Sequence, residues 1–122
     1  MPLSALPSVQ FATIAPAGFR LLAALEECSL VAKLDLVLTS GTDGAHSGEA
    51  DPHHAGCAYD VRSHGLTAEQ KQLVLEYTMS VLGTPLAQDG GLATAQFFGW
   101  LEAAGEANEH FHFQLRRGMS YP

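Results

Sequence analysis

Two short stretches of this chain concentrate the side chains able to hold a metal or move a proton. Asp51-Pro52-His53-His54-Ala55-Gly56-Cys57-Ala58-Tyr59-Asp60 supplies a histidine and an aspartate, and Glu109-His110-Phe111-His112, almost sixty residues after the first begins, supplies a histidine and a glutamate. One residue stands between His110 and His112, so a strand puts both imidazoles on one face and turns Phe111 and Phe113 to the other. The same alternation over 56–62 groups Gly56, Ala58 and Asp60 against Cys57, Tyr59 and Val61. The Asp60 face carries only tiny neighbours, which leaves room beside the carboxylate for an ion and a substrate. Zinc takes imidazole nitrogens and carboxylate oxygens at roughly 2.0–2.2 Å, and three protein ligands with one open position is its catalytic arrangement. His53, Asp60 and His112 are such a set. Each has an ordinary explanation alone, as a surface histidine or a hydrogen-bonded aspartate. Their combination on small-residue strands points to a metal site.

The bulk properties limit what surrounds these stretches. The chain has 122 residues, which suits one domain over 1–122. Apolar residues make up 47 %, too many for a disordered chain. A net charge of −7 with only six Lys and Arg argues against a nucleic-acid partner. The apolar run Phe11–Leu25 is broken by Pro16, Gly18 and Arg20 and follows no basic cluster. It therefore reads as neither a secretory signal nor a membrane span, and the expected setting is the cytoplasm or release by lysis, with no membrane partner. Cys28 and Cys57 form neither a disulfide framework nor a metal clip and read as small buried residues. Of the six histidines, His46, His53, His54 and His64 fall within nineteen residues. His54 and His64 read as exposed and without a role.

The elements that must position these residues follow from periodicity. Residues 1–15 read as an irregular arm. Leu21, Leu22, Leu25 and Cys28 stand at helical spacing, so a helix is expected from Pro16 to Cys28. Leu34–Thr39 is a β-rich run. Ser40–Asp51 has three glycines, three acids and nothing apolar larger than alanine, and reads as a functional loop. Gly56–Arg62 is the next strand. Leu66–Leu82 is a helix opened by a Thr67/Gln70 capping box, with Leu73, Val74, Tyr77, Val81 and Leu82 as its apolar stripe and Glu69, Lys71 and Gln72 facing water. Gly83 and Pro85 stop it. Residues 93–101 and 109–116 read as a hairpin. The expected class is α+β: a small antiparallel sheet with helices packed on one side.

The spacing His53-x-x-Gly56-x-Ala58-x-Asp60 resembles the His-x-x-Gly-x-Ala-x-Asp signature of zinc D-Ala-D-Ala peptidases and dipeptidases, whose fold and zinc site are similar to those of hedgehog signalling domains. Glu109-x-x-His112 resembles the second half of that signature, and Thr39-Ser40-Gly41 resembles the strand end before the metal loop. The likeness spans residues 34–116 by order of elements and rests on about ten identities. It implies zinc on His53, Asp60 and His112, and Glu109 as the general base acting on a water whose pKa the metal lowers toward roughly 7. His46 and His110 resemble the two further histidines that line such sites and would bond the oxyanion. The implied substrate is a short peptide or peptidoglycan fragment.

The chain departs from the family at two places. Thr42-Asp43 stands where an aromatic and an arginine follow Ser-Gly, and Asp51 stands where a serine precedes the first ligand. The missing arginine removes a clamp for a substrate carboxylate, a task left to Arg62 or Arg116. The acids Asp43, Glu49 and Asp51 read first as a solvated loop; the hedgehog likeness implies calcium there. Two other functions fit the same residues: a zinc-stabilised binding module without turnover, and a zinc amidase acting on a non-peptide amide.

Overall fold

Leu21, Ala24, Leu25 and Cys28 recur at helical spacing and are fully buried, forming the inward face of the first helix. The computed structural model describes residues 3–12, 14, 16–41, 58–81 and 97–115. The expected loop over 42–51, with His46 and the acids of the calcium reading, lies outside them. So do His53, His54, Cys57, the helix stop at Gly83 and Pro85, and Arg116.

Helix α1 spans Pro16–Ala32, four residues beyond the expected end at Cys28. It continues because Ser29 extends the buried face. It stops where Lys33 turns left-handed, at φ 57°, and the Leu34 N–H donates to the Ser29 carbonyl at 3.1 Å, a Schellman closure. A lysine at this position bears the Cβ strain that glycine avoids. Lys33→Gly is expected to stabilise the protein by about 1 kcal/mol in urea unfolding; a neutral or destabilising result would contradict the capping geometry.

Helix α2 spans Ala68–Val81. The capping box is present in both directions: Thr67 N–H donates to Gln70 Oε1 at 2.9 Å, and Gln70 N–H to Thr67 Oγ1 at 3.1 Å. The expected apolar stripe is present in part: Val74 is in the core and Tyr77 and Val81 pack against it, while Leu82 lies outside the described residues. Val74, Thr78 and Met79 are buried, whereas Leu73 is 43 % exposed. Lys71, expected in water, instead reaches the carboxylate of Glu109. The helix thus packs an apolar face on the core and adds a polar tether through Lys71. Arg20 of α1 donates to the Val81 carbonyl at 3.1 Å, which satisfies an end of α2 and ties the helices together.

The strands are β1 (Leu3–Ala5), β2 (Leu36–Ser40), β3 (Ala58–Arg62), β4 (Phe97–Glu102) and β5 (His110–Leu115). They form one sheet in the order β1-β2-β3-β5-β4. The class is α+β as expected, with two corrections. The arm is not wholly irregular, because its residues 3–5 form an edge strand. The sheet is not purely antiparallel, because β1 runs parallel to β2. A three-residue strand between Pro2 and Pro7 carries no periodic signal; it exists because β2 offers it an open edge. Leu36, Leu38, Tyr59, Val61, Phe111 and Phe113 enter one core with Leu21, Leu25, Cys28, Val74 and Met79. Each such burial contributes roughly 1.5–3 kcal/mol before chain entropy is counted. Both helices thus pack on one face of the sheet, and the other face receives the intervening side chains. Gly41, just past β2, lies so close to the Gln10 carbonyl that no Cβ fits there without a backbone shift.

Candidate metal centre

Asp60 in the middle of β3 stands directly across from His112 in β5. Alternation sends Tyr59, Val61, Phe111 and Phe113 into the core, so Asp60 and His112 emerge together on the helix-free face. A register shift between Leu38 and Ser40 brings Ser40 opposite Asp60 on the other side. Such bulges re-aim side chains at the places where they occur.

His112 Nδ1 and Asp60 Oδ1 are 3.0 Å apart, and His112 Nε2 is 2.8 Å from Gln114 Oε1. The ring is largely buried, with 11 % of its side chain exposed. Burial pushes the imidazole pKa down. The bonds to Asp60 and Gln114 and the negative charges of Asp60 and Glu102 outweigh that and hold it above its ordinary value. The protonated ring donates from both nitrogens. A divalent ion would compete for the lone pair that the Nδ1 proton occupies.

Glu102 ends β4 and pairs in register with His110 of β5. His110 Nδ1 lies 2.8 Å from the Asn108 carbonyl, and its Nε2 lies 2.8 Å from Glu102 Oε2. The same Nε2 lies 3.8 Å from Asp60 Oδ2. Asp60, Glu102 and His112 each offer a ligand atom, all within 4.8 Å of one another. The donor set fits a divalent ion: one imidazole and two carboxylates, borne by three adjacent strands. Two donors on one zinc at a tetrahedral angle stand about 3.3 Å apart, near the 3.0 Å Asp60–His112 separation.

The structure thus brings together two of the three expected ligands, Asp60 and His112, with His110 beside them. His53 and His46 lie outside the described residues. Glu102 went unnoticed because the expected strand ended at Leu101, one residue short. Its register partner depends on the 103–109 connection, which has no spacing signature.

Glu109 faces a different way. It is out of phase with His112, and its carboxylate meets groups on the helix side. Ser63 Oγ donates to Oε1 at 2.6 Å, the Gly105 N–H donates to Oε2 at 2.8 Å, and Lys71 Nζ lies 2.6 Å from Oε1. These partners, Lys71 foremost and then Ser63 and Gly105, lower its pKa to about 2. A carboxylate so engaged is a weak base, and one that clasps α2, the end of β3 and the 103–109 loop. A depressed folded-state pKa contributes stability above the unfolded value, and that stability is lost as pH falls through the folded value. Unfolding free energy is therefore expected to drop between about pH 4.5 and pH 2, with Glu109→Gln flattening that part of the profile. An unchanged acid limb in the variant would remove Glu109 as its source. His64, exposed as expected, meets the Ala107 carbonyl at 3.0 Å.

Comparison with protein-family models, with curated proteins and with solved structures returned no match for this chain. Among the described residues, no helix is long and apolar enough to cross a membrane.

Proposed function

We propose that this chain is a zinc-dependent peptidase acting on short peptides, with D-Ala-D-Ala or related peptidoglycan bonds as the substrate class. The observation that carries the reading is the Asp60–His112 pair, 3.0 Å apart across two central strands on the face that the helices leave uncovered. Asp60 closes the His53-x-x-Gly56-x-Ala58-x-Asp60 run, and His112 the Glu109-x-x-His112 run, that resemble the two halves of the zinc D-Ala-D-Ala peptidase signature, whose first ligand would be His53. Zinc, when bound, supplies Lewis acidity toward a scissile carbonyl and lowers the pKa of water. Asp60 and His112 would hold the ion on rigid strands. Arg62 lies two residues from Asp60 on the same face, exposed and in register with His110. It would take the substrate carboxylate in place of the missing loop arginine. Glu109 would serve as base only after exchanging its bonds to Lys71, Ser63 and Gly105.

That engagement favours a second reading, a zinc-stabilised binding module of the hedgehog-like type, with no turnover. Metal analysis of the purified chain, followed by a panel of D,D-, L,D- and L,L-dipeptides with wild type and Glu109→Gln, separates the two. Stoichiometric zinc with D,D-hydrolysis that Glu109→Gln abolishes supports the peptidase. Stoichiometric zinc without hydrolysis supports the module. A protein that binds no zinc refutes both.

A further inference from the structure

We infer that Glu102, at the end of β4, is a ligand of the ion held by Asp60 and His112, and that His110 is the outer partner that orients it. The inference rests on the proposal that Asp60 and His112 bind a divalent cation. It adds a donor that the family signature does not contain; together with His53 it would make four protein ligands, the closed arrangement of the binding-module reading rather than of the peptidase.

Three observations carry it. First, a ligand atom of Glu102 lies within 4.8 Å of one from Asp60 and one from His112, so a single ion can reach all three side chains. Second, the placement is built into the sheet: β3, β5 and β4 are consecutive neighbours, and each contributes one donor on the same face. Donors carried by strands hold position better than donors carried by loops. Third, Glu102 has about half of its side chain exposed, yet its carboxylate lies along the sheet against His110 rather than out in solvent. His110 is itself anchored, because its Nδ1 meets the Asn108 carbonyl. This fixes the direction in which Nε2 faces. Nε2 meets Glu102 Oε2 at 2.8 Å and stands 3.8 Å from Asp60 Oδ2. A single imidazole nitrogen thus faces two carboxylates of the set, the outer-sphere arrangement that orients metal ligands and whose loss costs roughly 10–100-fold in affinity. One imidazole and two carboxylates suit zinc and also manganese.

The test is calorimetric titration of the full chain with zinc, and optical titration with cobalt, for wild type, Glu102→Gln, His110→Asn, Glu109→Gln and His112→Ala. Far-ultraviolet circular dichroism checks that each is folded. Glu102→Gln is expected to weaken zinc binding by at least about tenfold and to change the cobalt d–d spectrum, as loss of a ligand must. His110→Asn is expected to weaken binding by about tenfold while keeping the cobalt band shape. Glu109→Gln is expected to bind as wild type does. Wild-type affinity and spectrum in Glu102→Gln, with binding lost in His112→Ala, would overturn the role of Glu102 and leave the site standing. Wild-type binding in His112→Ala would overturn the site itself.

Discussion

His112→Ala is expected to reduce zinc affinity on the order of 100-fold or more, measured by competition with a chromophoric chelator, while His64→Ala leaves it unchanged. His112 sits in a central strand, largely buried, with Nδ1 3.0 Å from Asp60 Oδ1. It is the nitrogen donor of the described cluster. Of the described cluster its removal leaves only Asp60 and Glu102, two carboxylates that hold zinc poorly without a borderline-soft partner. His64 is an equally good imidazole, but it is exposed at a turn where it meets the Ala107 carbonyl, so its loss changes the histidine count and not the site. Proton competition gives the sign of the pH dependence. The bonds and charges of Asp60, Gln114 and Glu102 overcome burial and raise the His112 pKa. Zinc affinity is therefore expected to fall as pH drops below that raised value, because the ion must displace a more tightly held proton. In the metal-free protein the same raised pKa makes the ion pair stabilising below the unfolded histidine value, with that contribution lost as pH rises through the folded one. Equal affinity in His112→Ala and His64→Ala would mean that the metal binds elsewhere.

Gly99→Val is expected to destabilise the fold by about 3 kcal/mol in urea unfolding, with Gly99→Ala costing less. Gly99 lies in β4 opposite Phe113 of β5, on the core face. A Cβ there would stand 2.8 Å from Phe113 Cδ1, 3.0 Å from Cε1 and 3.2 Å from Met79 Sδ. The Phe113 ring is fully buried and stacks on Phe111 with centroids 5.9 Å apart, so it has no vacant direction to yield. The empty position at Gly99 is therefore filled by the neighbouring ring. This lets α2 approach the sheet through Met79. Phe113→Leu should cost stability alone but recover part of the loss when combined with Gly99→Ala, a coupling of roughly 0.5–3 kcal/mol. Strictly additive costs would show that the ring and the glycine do not share this space. Because β4 also carries Glu102 on its opposite face, the same substitutions should disturb metal affinity more than an equally destabilising change in α1.

Much of the architecture was legible in the chain because its signals are local. Alternation over Ala58–Arg62 and His110–Leu115 is a property of each strand, so it told correctly that Asp60 parts from Tyr59 and Val61, and that His110 and His112 part from Phe111 and Phe113. The Thr67/Gln70 box is likewise complete within four residues. What periodicity did not reveal depends on partners distant in sequence. The pairing of Glu102 with His110 is set by hairpin register, and the strand at Leu3–Ala5 by the open edge of β2. The engagement of Lys71, expected in water, depends on Glu109, thirty-eight residues on. The use of Glu109 as a clasp is the sharpest instance. Its spacing from His112 resembles a catalytic motif. Yet the direction of its carboxylate was decided by three donors that only the folded chain brings to it. Local pattern determines which face a side chain takes; the partner waiting there is decided by tertiary structure, because hydrogen bonds and ion pairs act over a few ångströms of space whatever their separation along the chain.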